Sequence, residues 1–168
     1  MFRIMLITVL SLTLLNSSVA YAENIYPYDK KINGDISSFE NHIGQDILIP
    51  TWIPPEYDQV NVQYAEKEDH FSISYAMAHK HDGIISLLVQ NGEVINTVHF
   101  RQMTLRNGRT AFYGEHRLRP FHYVPREAEE VFLYFYDGKL LYTLSMASRA
   151  FSSAKMKRIL IKVANSMN

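Results

Sequence analysis

The stretch Ile49-Pro50-Thr51-Trp52-Ile53-Pro54-Pro55-Glu56-Tyr57 decides how this chain can fold. It holds three of the six prolines and the only tryptophan of a 168-residue sequence. Because proline fixes φ and pushes the residue before it into extended geometry, the stretch cannot be a helix. It is typical of a rigid, extended lead into a β-rich domain, and we expect Trp52 to cover the seam between a first helix and the sheet.

Helices are predicted on both sides of this stretch. Before it, Ile36, Phe39 and Ile43 recur at helical spacing, and Asp35 or Ser37 can cap the start. At the other end of the chain, an apolar stripe that begins at Met156 alternates with cationic positions, and Ser152 is the expected N-cap. Both patterns predict amphipathic helices that pack on a sheet.

After the 49–57 stretch the hydrophobic period changes to two, which predicts strands. Asn107-Gly108 and Asp137-Gly138 suit two-residue hairpin turns, where positive φ angles are needed. With Asp137-Gly138 as the turn, Phe135 would pair with Leu140. Residues 118–130 contain two prolines and are predicted to form a long loop.

These patterns predict an α+β fold. We expect an antiparallel sheet of six or seven strands, with the C-terminal helix and the short N-terminal helix packed on one face. The predicted organisation is a signal peptide over residues 1–22, a flexible lead-in over 23–34 and a single domain over 35–168.

The first residues are typical of a targeting segment. Arg3 precedes an uncharged apolar run over residues 4–15, and Ala20-Tyr21-Ala22 has the form of a signal-peptidase site. The run is shorter than the ~20 residues that a spanning helix needs. We therefore expect cleavage after Ala22 and an extracytoplasmic protein, secreted or held at the outer face of the cytoplasmic membrane. Retention of the segment as an anchor is the alternative.

Composition narrows the chemistry. The sequence has no cysteine, which excludes disulfides, thiolate metal sites and a cysteine nucleophile. Lys+Arg and Asp+Glu both total 17, so no global charge draws the chain toward nucleic acid. Neither a cofactor nor a nucleic-acid partner is predicted.

Several motifs together resemble a domain-of-unknown-function family of Gram-positive bacteria. They are a short helix that ends near Gly44, the 49–57 stretch, the hairpin Leu133-x-Phe135…Leu141-Tyr142-x-Leu144 and the final Ala164-Asn165-Ser166-Met167. The resemblance covers about residues 36–168, although Glu56 stands where the family commonly has glycine. Such domains occur outside the cytoplasm, in anti-sigma-factor-like membrane proteins and in secreted proteins. The resemblance implies a sensing or partner-binding accessory role and no catalytic residues.

A local concentration of arginine is the predicted binding site. Residues 101–119 hold five arginines against one acid, Glu115. Guanidinium groups match phosphate and carboxylate oxygens, so an anionic polymer or an acidic envelope protein is the expected partner. The alternative is that these arginines pair with nearby glutamates. The predicted binding residues are Arg101, Arg109, Tyr113, Arg117 and Arg119.

Other chemistry has weaker support in the sequence. His79 and His81 could share a metal, but without a third fixed ligand no metal site is predicted. No catalytic motif is present, and no catalytic residue is assigned. The aromatic face of Phe132, Tyr134 and Tyr136 is expected to be covered by the 49–57 stretch or by the 118–130 loop.

The functional expectation is an exported, non-enzymatic accessory domain that binds or senses a partner in the cell envelope. The alternative is a small envelope hydrolase with its site near residues 112–130. In that case His116 or His122 would act with Glu115 as acid and base.

Overall fold

In the described part of the chain, two helices lie on one face of a seven-stranded antiparallel sheet, which confirms the predicted fold class. The computed structural model describes residues 28–65, 69–77, 83–92, 100–118 and 128–168. The elements follow in the order α1 (Lys30–Ile43), β1 (Gln59–Ala65), β2 (His70–Ala76), β3 (Gly83–Asn91), β4 (Arg101–Thr104), β5 (Thr110–Leu118), β6 (Ala128–Asp137), β7 (Leu140–Ser148) and α2 (Ser153–Asn165).

The sheet consists of two meanders that meet in its middle. Its spatial order is β1-β2-β3-β7-β6-β5-β4, so β3 pairs with β7, which follows it by about fifty residues of chain. Alternate residues of the inner strands point to the helices and are fully buried, as in the row Ile73, Leu87, Leu144 and Leu133. This face is the core of the domain.

The hairpin of β6 and β7 has the predicted faces but a different register. Phe135 lies opposite Tyr142, and Asp137, not Phe135, lies opposite Leu140. The turn is Gly138-Lys139, because Gly138 takes the positive φ of 59° while Asp137 remains in the strand. A shift of two residues leaves every side chain on its expected face, since the strand period is two.

Helix α1 begins earlier than predicted. Asp29 is the N-cap and accepts a hydrogen bond from the Ile32 backbone N–H at 2.8 Å. Neither Asp35 nor Ser37 caps the helix, and residues 30–34, expected in the lead-in, are helical. Gly44 ends the helix with a left-handed φ of 69°, as expected.

Helix α2 is capped from the sheet. The side chain of Ser152 makes no capping hydrogen bond. Instead, the Glu129 carboxylate of β6 accepts from the Ser153 backbone N–H at 2.8 Å and from the Ser153 hydroxyl at 2.6 Å. A carboxylate is favoured there because the first N–H groups of a helix are free and its dipole is positive. Glu129 thereby fixes the start of α2 on β6.

The 49–57 stretch is extended, as predicted, and runs beside α2. Pro50 forms a β-bridge with Met167, and the Thr51 hydroxyl donates to the Ser166 carbonyl at 2.6 Å. The Trp52 backbone N–H donates to the Ser166 hydroxyl at 3.1 Å. Trp52 therefore lies against the C-terminal helix, and the expected position at the seam with the first helix is wrong.

The opposite face of the sheet carries the aromatic row. Phe132 and Tyr134 are half-buried and stack at 6.0 Å, and Phe100 contacts Tyr134 at 5.2 Å between ring centroids. Phe100 packs closely against Gly114, where an added Cβ would lie 2.3 Å from the nearest atom of its ring. The 49–57 stretch lies on the other side of the sheet, so it does not cover this row. The other expected cover, the loop, has its residues 119–127 outside the described part of the chain.

Within the described residues, no helix combines the length and apolar character needed to cross a membrane.

Candidate functional site

The structure places two of the predicted binding residues together. Arg101 of β4 lies directly opposite Tyr113 of β5 on the helix side of the sheet. With Gly114 and Glu115 they line a surface cleft of about 240 Å³. Tyr113 is buried, and its hydroxyl donates to the Glu115 carboxylate at 2.9 Å. Burial, and to a smaller extent the Glu115 carboxylate, raises the pKa of Tyr113. Tyr113 is therefore a packed side chain at the edge of the cleft.

Arg109 has a local partner instead. Its Nε donates to the Asp137 carboxylate at 3.1 Å, next to the turn between β6 and β7. The backbone of Arg117 lies opposite Glu129, but its side chain and the whole of Arg119 are outside the described part of the chain. The five-residue patch stays a prediction. Arg109 thus has a local acidic partner, an aspartate that is not among the glutamates of the predicted alternative.

Of the histidines considered for metal binding or for acid–base chemistry, His116 lies in the described part of the chain. His79, His81 and His122 lie outside the described residues. His116 is exposed in β5 and follows Glu115, so the two side chains leave the strand on opposite faces. Among the described residues, no three histidines or carboxylates are grouped so that they could hold a metal ion.

A second cleft of about 240 Å³ is lined by Glu115, His116, Glu129 and Ser153. Both of its carboxylates already accept hydrogen bonds, Glu115 from Tyr113 and Glu129 from Ser153. These bonds hold the edge of the sheet and the start of α2. The cleft thus contains acid and base groups. Its two carboxylates, those of Glu115 and Glu129, already have a structural role through these hydrogen bonds.

The outer face of α2 is a local concentration of positive charge. The helix carries Lys155, Lys157, Arg158 and Lys162 and contains no acid. Residues three and four positions apart share a helix face, which brings Lys155, Arg158 and Lys162 together. Lys157 points toward β5, where its Nζ lies 4.3 Å from the centroid of the Tyr113 ring. The cations therefore extend across the whole exposed side of the helix.

Three of these cations surround an apolar floor. Trp52 and Ile159, with Lys155, Arg158 and Lys162, line an open groove of about 320 Å³ that we call the cationic groove. The Lys162 Nζ lies 3.6 Å from the centroid of the Trp52 ring, and the Lys155 Nζ lies at the same distance from Phe151. The two ammonium groups are thus held over aromatic faces, which attract cations while leaving them open to an anion.

No acid neutralises this groove within the described part of the chain. The ion pairs found there join Arg109 to Asp137 and His42 to Asp69, and neither involves α2. A lysine near the C-terminus of a helix is stabilised by the helix dipole, which explains why Lys162 can stand there without an acidic partner. The dipole does not account for Lys155 or Arg158, which lie nearer the start.

The sequence predicted these cations only as the polar side of an amphipathic helix. The signal that could have identified the groove is a helix with four cations and no acid. The missing part was Trp52, which precedes Lys162 by more than a hundred residues in the sequence. The Pro50–Met167 bridge and the hydrogen bonds between the 49–57 stretch and Ser166 place its ring beside α2.

No protein-family model, curated protein or solved structure matches the chain. Fold and site together define an α+β domain whose helix layer presents a cationic groove with an aromatic floor. A fold alone does not define a function, and the groove is the feature of this domain that suggests one.

Proposed function

We propose that this protein is an exported, non-enzymatic accessory domain that binds an anionic partner in the cell envelope through the cationic groove. One observation carries the proposal: three cations surround Trp52, and no acid of the described residues pairs with them.

The local concentration of positive charge supports a binding role for this surface. The whole sequence has equal numbers of acids and bases, so the groove is a local feature and not a consequence of a basic chain. Clustered like charges repel each other and destabilise a fold slightly unless a partner of opposite charge is present. An anion at the groove would gain three attractions around a partly desolvated floor, which strengthens each of them.

Export is supported by the sequence. Arg3, the apolar run over residues 4–15 and Ala20-Tyr21-Ala22 form a signal-peptide pattern. The resemblance to extracytoplasmic domains of Gram-positive bacteria points to the same compartment. An exported domain meets anionic polymers, lipids and proteins at the cell surface, and these are the partners that a cationic groove fits.

The experiment is fractionation of cells that export the protein. We expect the native protein to sediment with the envelope at low salt and to be released by high salt, because exposed charges are screened. The variant Lys155→Glu/Arg158→Glu/Lys162→Glu should remain in the soluble fraction. The matched control, Lys30→Glu/Lys31→Glu/Lys139→Glu, makes the same charge change at exposed positions outside the groove and should still sediment. Equal release of both variants, or a native protein found inside the cell, would contradict the proposal.

One observation favours the alternative, a small hydrolase, but with Glu130 in the place of the predicted Glu115. Glu130 lies opposite His116 in the sheet, and burial raises its carboxyl pKa while His116 opposes the shift. A carboxyl group with a raised pKa beside an imidazole is a combination that acid–base catalysis uses. If the protein releases soluble products from envelope fractions and Glu130→Gln stops the release, the alternative is correct.

A further inference from the structure

We infer that the cationic groove binds the phosphate groups of an anionic lipid bilayer, so that α2 lies along the membrane surface. This inference rests on the proposed function and names the chemistry of its partner.

The composition of the groove matches a membrane interface. Indole rings favour the headgroup level of a bilayer, and Trp52 forms the half-buried floor together with Ile159. Lysine side chains can cover apolar surface with their methylenes while the ammonium reaches the phosphates. Lys155 and Lys162 are already arranged over aromatic rings at the edge of the groove. An apolar centre with a cationic edge therefore meets both layers of the interface.

The kind of cation also favours a lipid surface over a structured acidic protein. Three of the four cations on α2 are lysines, which act as point charges without a fixed geometry. A protein carboxylate is best recognised by a bidentate arginine, and α2 supplies only Arg158. Mobile headgroups demand charge density and no particular orientation, which lysines on an exposed helix provide.

The path of the chain agrees with this orientation. The Tyr28 hydroxyl donates to the Pro50 carbonyl at 2.6 Å and lies 2.6 Å from the Tyr75 hydroxyl. The first described residue thus joins the fold on the helix side of the sheet, where α2 also lies. The apolar run over residues 4–15, which we expect to bring the chain to the membrane, precedes this point. The segment expected to reach the membrane during export, before cleavage after Ala22, therefore enters the fold on the side that carries α2.

The test is vesicle flotation with protein purified from an exporting host. The probes are vesicles of phosphatidylcholine, with and without phosphatidylglycerol. We expect the native protein to float only with the anionic vesicles. Loss of a single cation should lower partitioning by about fivefold. This factor corresponds to roughly 1 kcal/mol, the contribution of each basic residue near an anionic surface. The triple variant of the groove should stay at the bottom, while the Lys30/Lys31/Lys139 control should float.

The outcomes separate the two proposals. Flotation with neutral vesicles to the same extent, or equal loss in both triple variants, overturns the lipid inference. So does displacement by soluble glycerol phosphate, which would identify a free phosphate group as the ligand. If lipid-extracted cell walls bind the native protein but not the groove variant, the envelope function stands and the lipid inference fails. If no envelope fraction distinguishes the groove variant from the control, both fail. Thermal unfolding of all variants confirms that each is folded.

Discussion

Two buried tyrosines show how a single hydroxyl changes stability in this domain. Both Tyr57 and Tyr142 are fully buried, and burial raises the pKa of each to about 12. The Tyr142 hydroxyl accepts from the Leu48 backbone N–H at 3.1 Å. The Tyr57 hydroxyl has no hydrogen-bond partner in the part of the chain that the structure describes. A buried polar atom is costly when it is unpaired, so the same substitution should have opposite effects at the two positions.

We predict that Tyr57→Phe raises the free energy of unfolding by about 1 kcal/mol, because it removes an unpaired buried hydroxyl. Tyr142→Phe should lower it by about 1–2 kcal/mol, because the Leu48 N–H then loses its acceptor. Urea unfolding followed by the fluorescence of Trp52 measures both changes. A loss of stability in Tyr57→Phe as large as that in Tyr142→Phe would show that the Tyr57 hydroxyl is paired.

The same tyrosines predict a loss of stability in alkaline solution. Their folded pKa, about 12, is higher than the ordinary value of 10.0, so the folded state holds the phenolic protons more tightly. The contribution of these protonated tyrosines to the free energy of unfolding is therefore complete below pH 10 and is lost as the pH rises toward 12. Denaturant unfolding across this range should show the decline, and Tyr57→Phe should make it shallower. Tyr136→Phe, at a position 39% exposed, is the control. An identical pH profile for Tyr57→Phe and the native protein would contradict the assignment.

At the scale of elements, one carboxylate holds the start of α2 against the sheet. Glu129 replaces the missing side-chain cap of Ser152 and binds Ser153 through two hydrogen bonds. We predict that Glu129→Gln lowers the free energy of unfolding by about 1 kcal/mol, in the range measured for loss of a cap. Ser153→Ala should cost less, since the backbone N–H bond remains.

A double-mutant cycle over Glu129 and Ser153 tests this cap directly. Because the two side chains bond each other, the double variant should be less destabilised than the sum of the single variants. Additive effects would show that the bond contributes nothing to stability. Chemical denaturation of the four proteins in one buffer provides the measurement.

The elements also show what a sequence can reveal. The period-two pattern of β6 and β7 identified the buried face correctly, because that face is wholly apolar over residues 131–135 and 140–146, whereas the other face carries Thr143 and Ser145. The register was missed by two residues because both Asp137-Gly138 and Gly138-Lys139 satisfy the local turn rules. The start of α1 was missed because Asp29 and Asp35 are equally good caps in isolation. In the structure, only the earlier start lets Ile32 pack against the core.

The site was harder to predict than the fold for a physical reason. Strand faces are encoded by neighbouring residues, whereas the cationic groove joins Trp52 to Lys162. Their contact depends on the Pro50–Met167 bridge and on the bonds to Ser166. No local pattern in the sequence carries that information. The arginine cluster over residues 101–119, in contrast, could be recognised from the sequence, because its members are close together in the chain whatever their partners are.

At the scale of the whole molecule, the helix layer is built from both ends of the described chain. Tyr28, the 49–57 stretch and residues 165–168 all meet there, while the sheet is completed by the pairing of β3 with β7. The Asn165 side chain also accepts from the Arg106 backbone N–H at 2.7 Å, which ties the end of α2 to the turn before β5. The groove therefore exists only in the complete fold, and binding reports the native state.

The most direct test of the central claim is the quenching of Trp52 by a soluble quencher, with and without isolated envelopes. Trp52 is the only tryptophan of the protein, so the fluorescence that remains after subtraction of the signal from envelopes alone reports the groove. If the groove is the binding surface, bound protein should be quenched much less than free protein, and high salt should restore the quenching. A protein that sediments with envelopes while Trp52 stays as accessible as in solution would contradict the account, because binding would then use another surface.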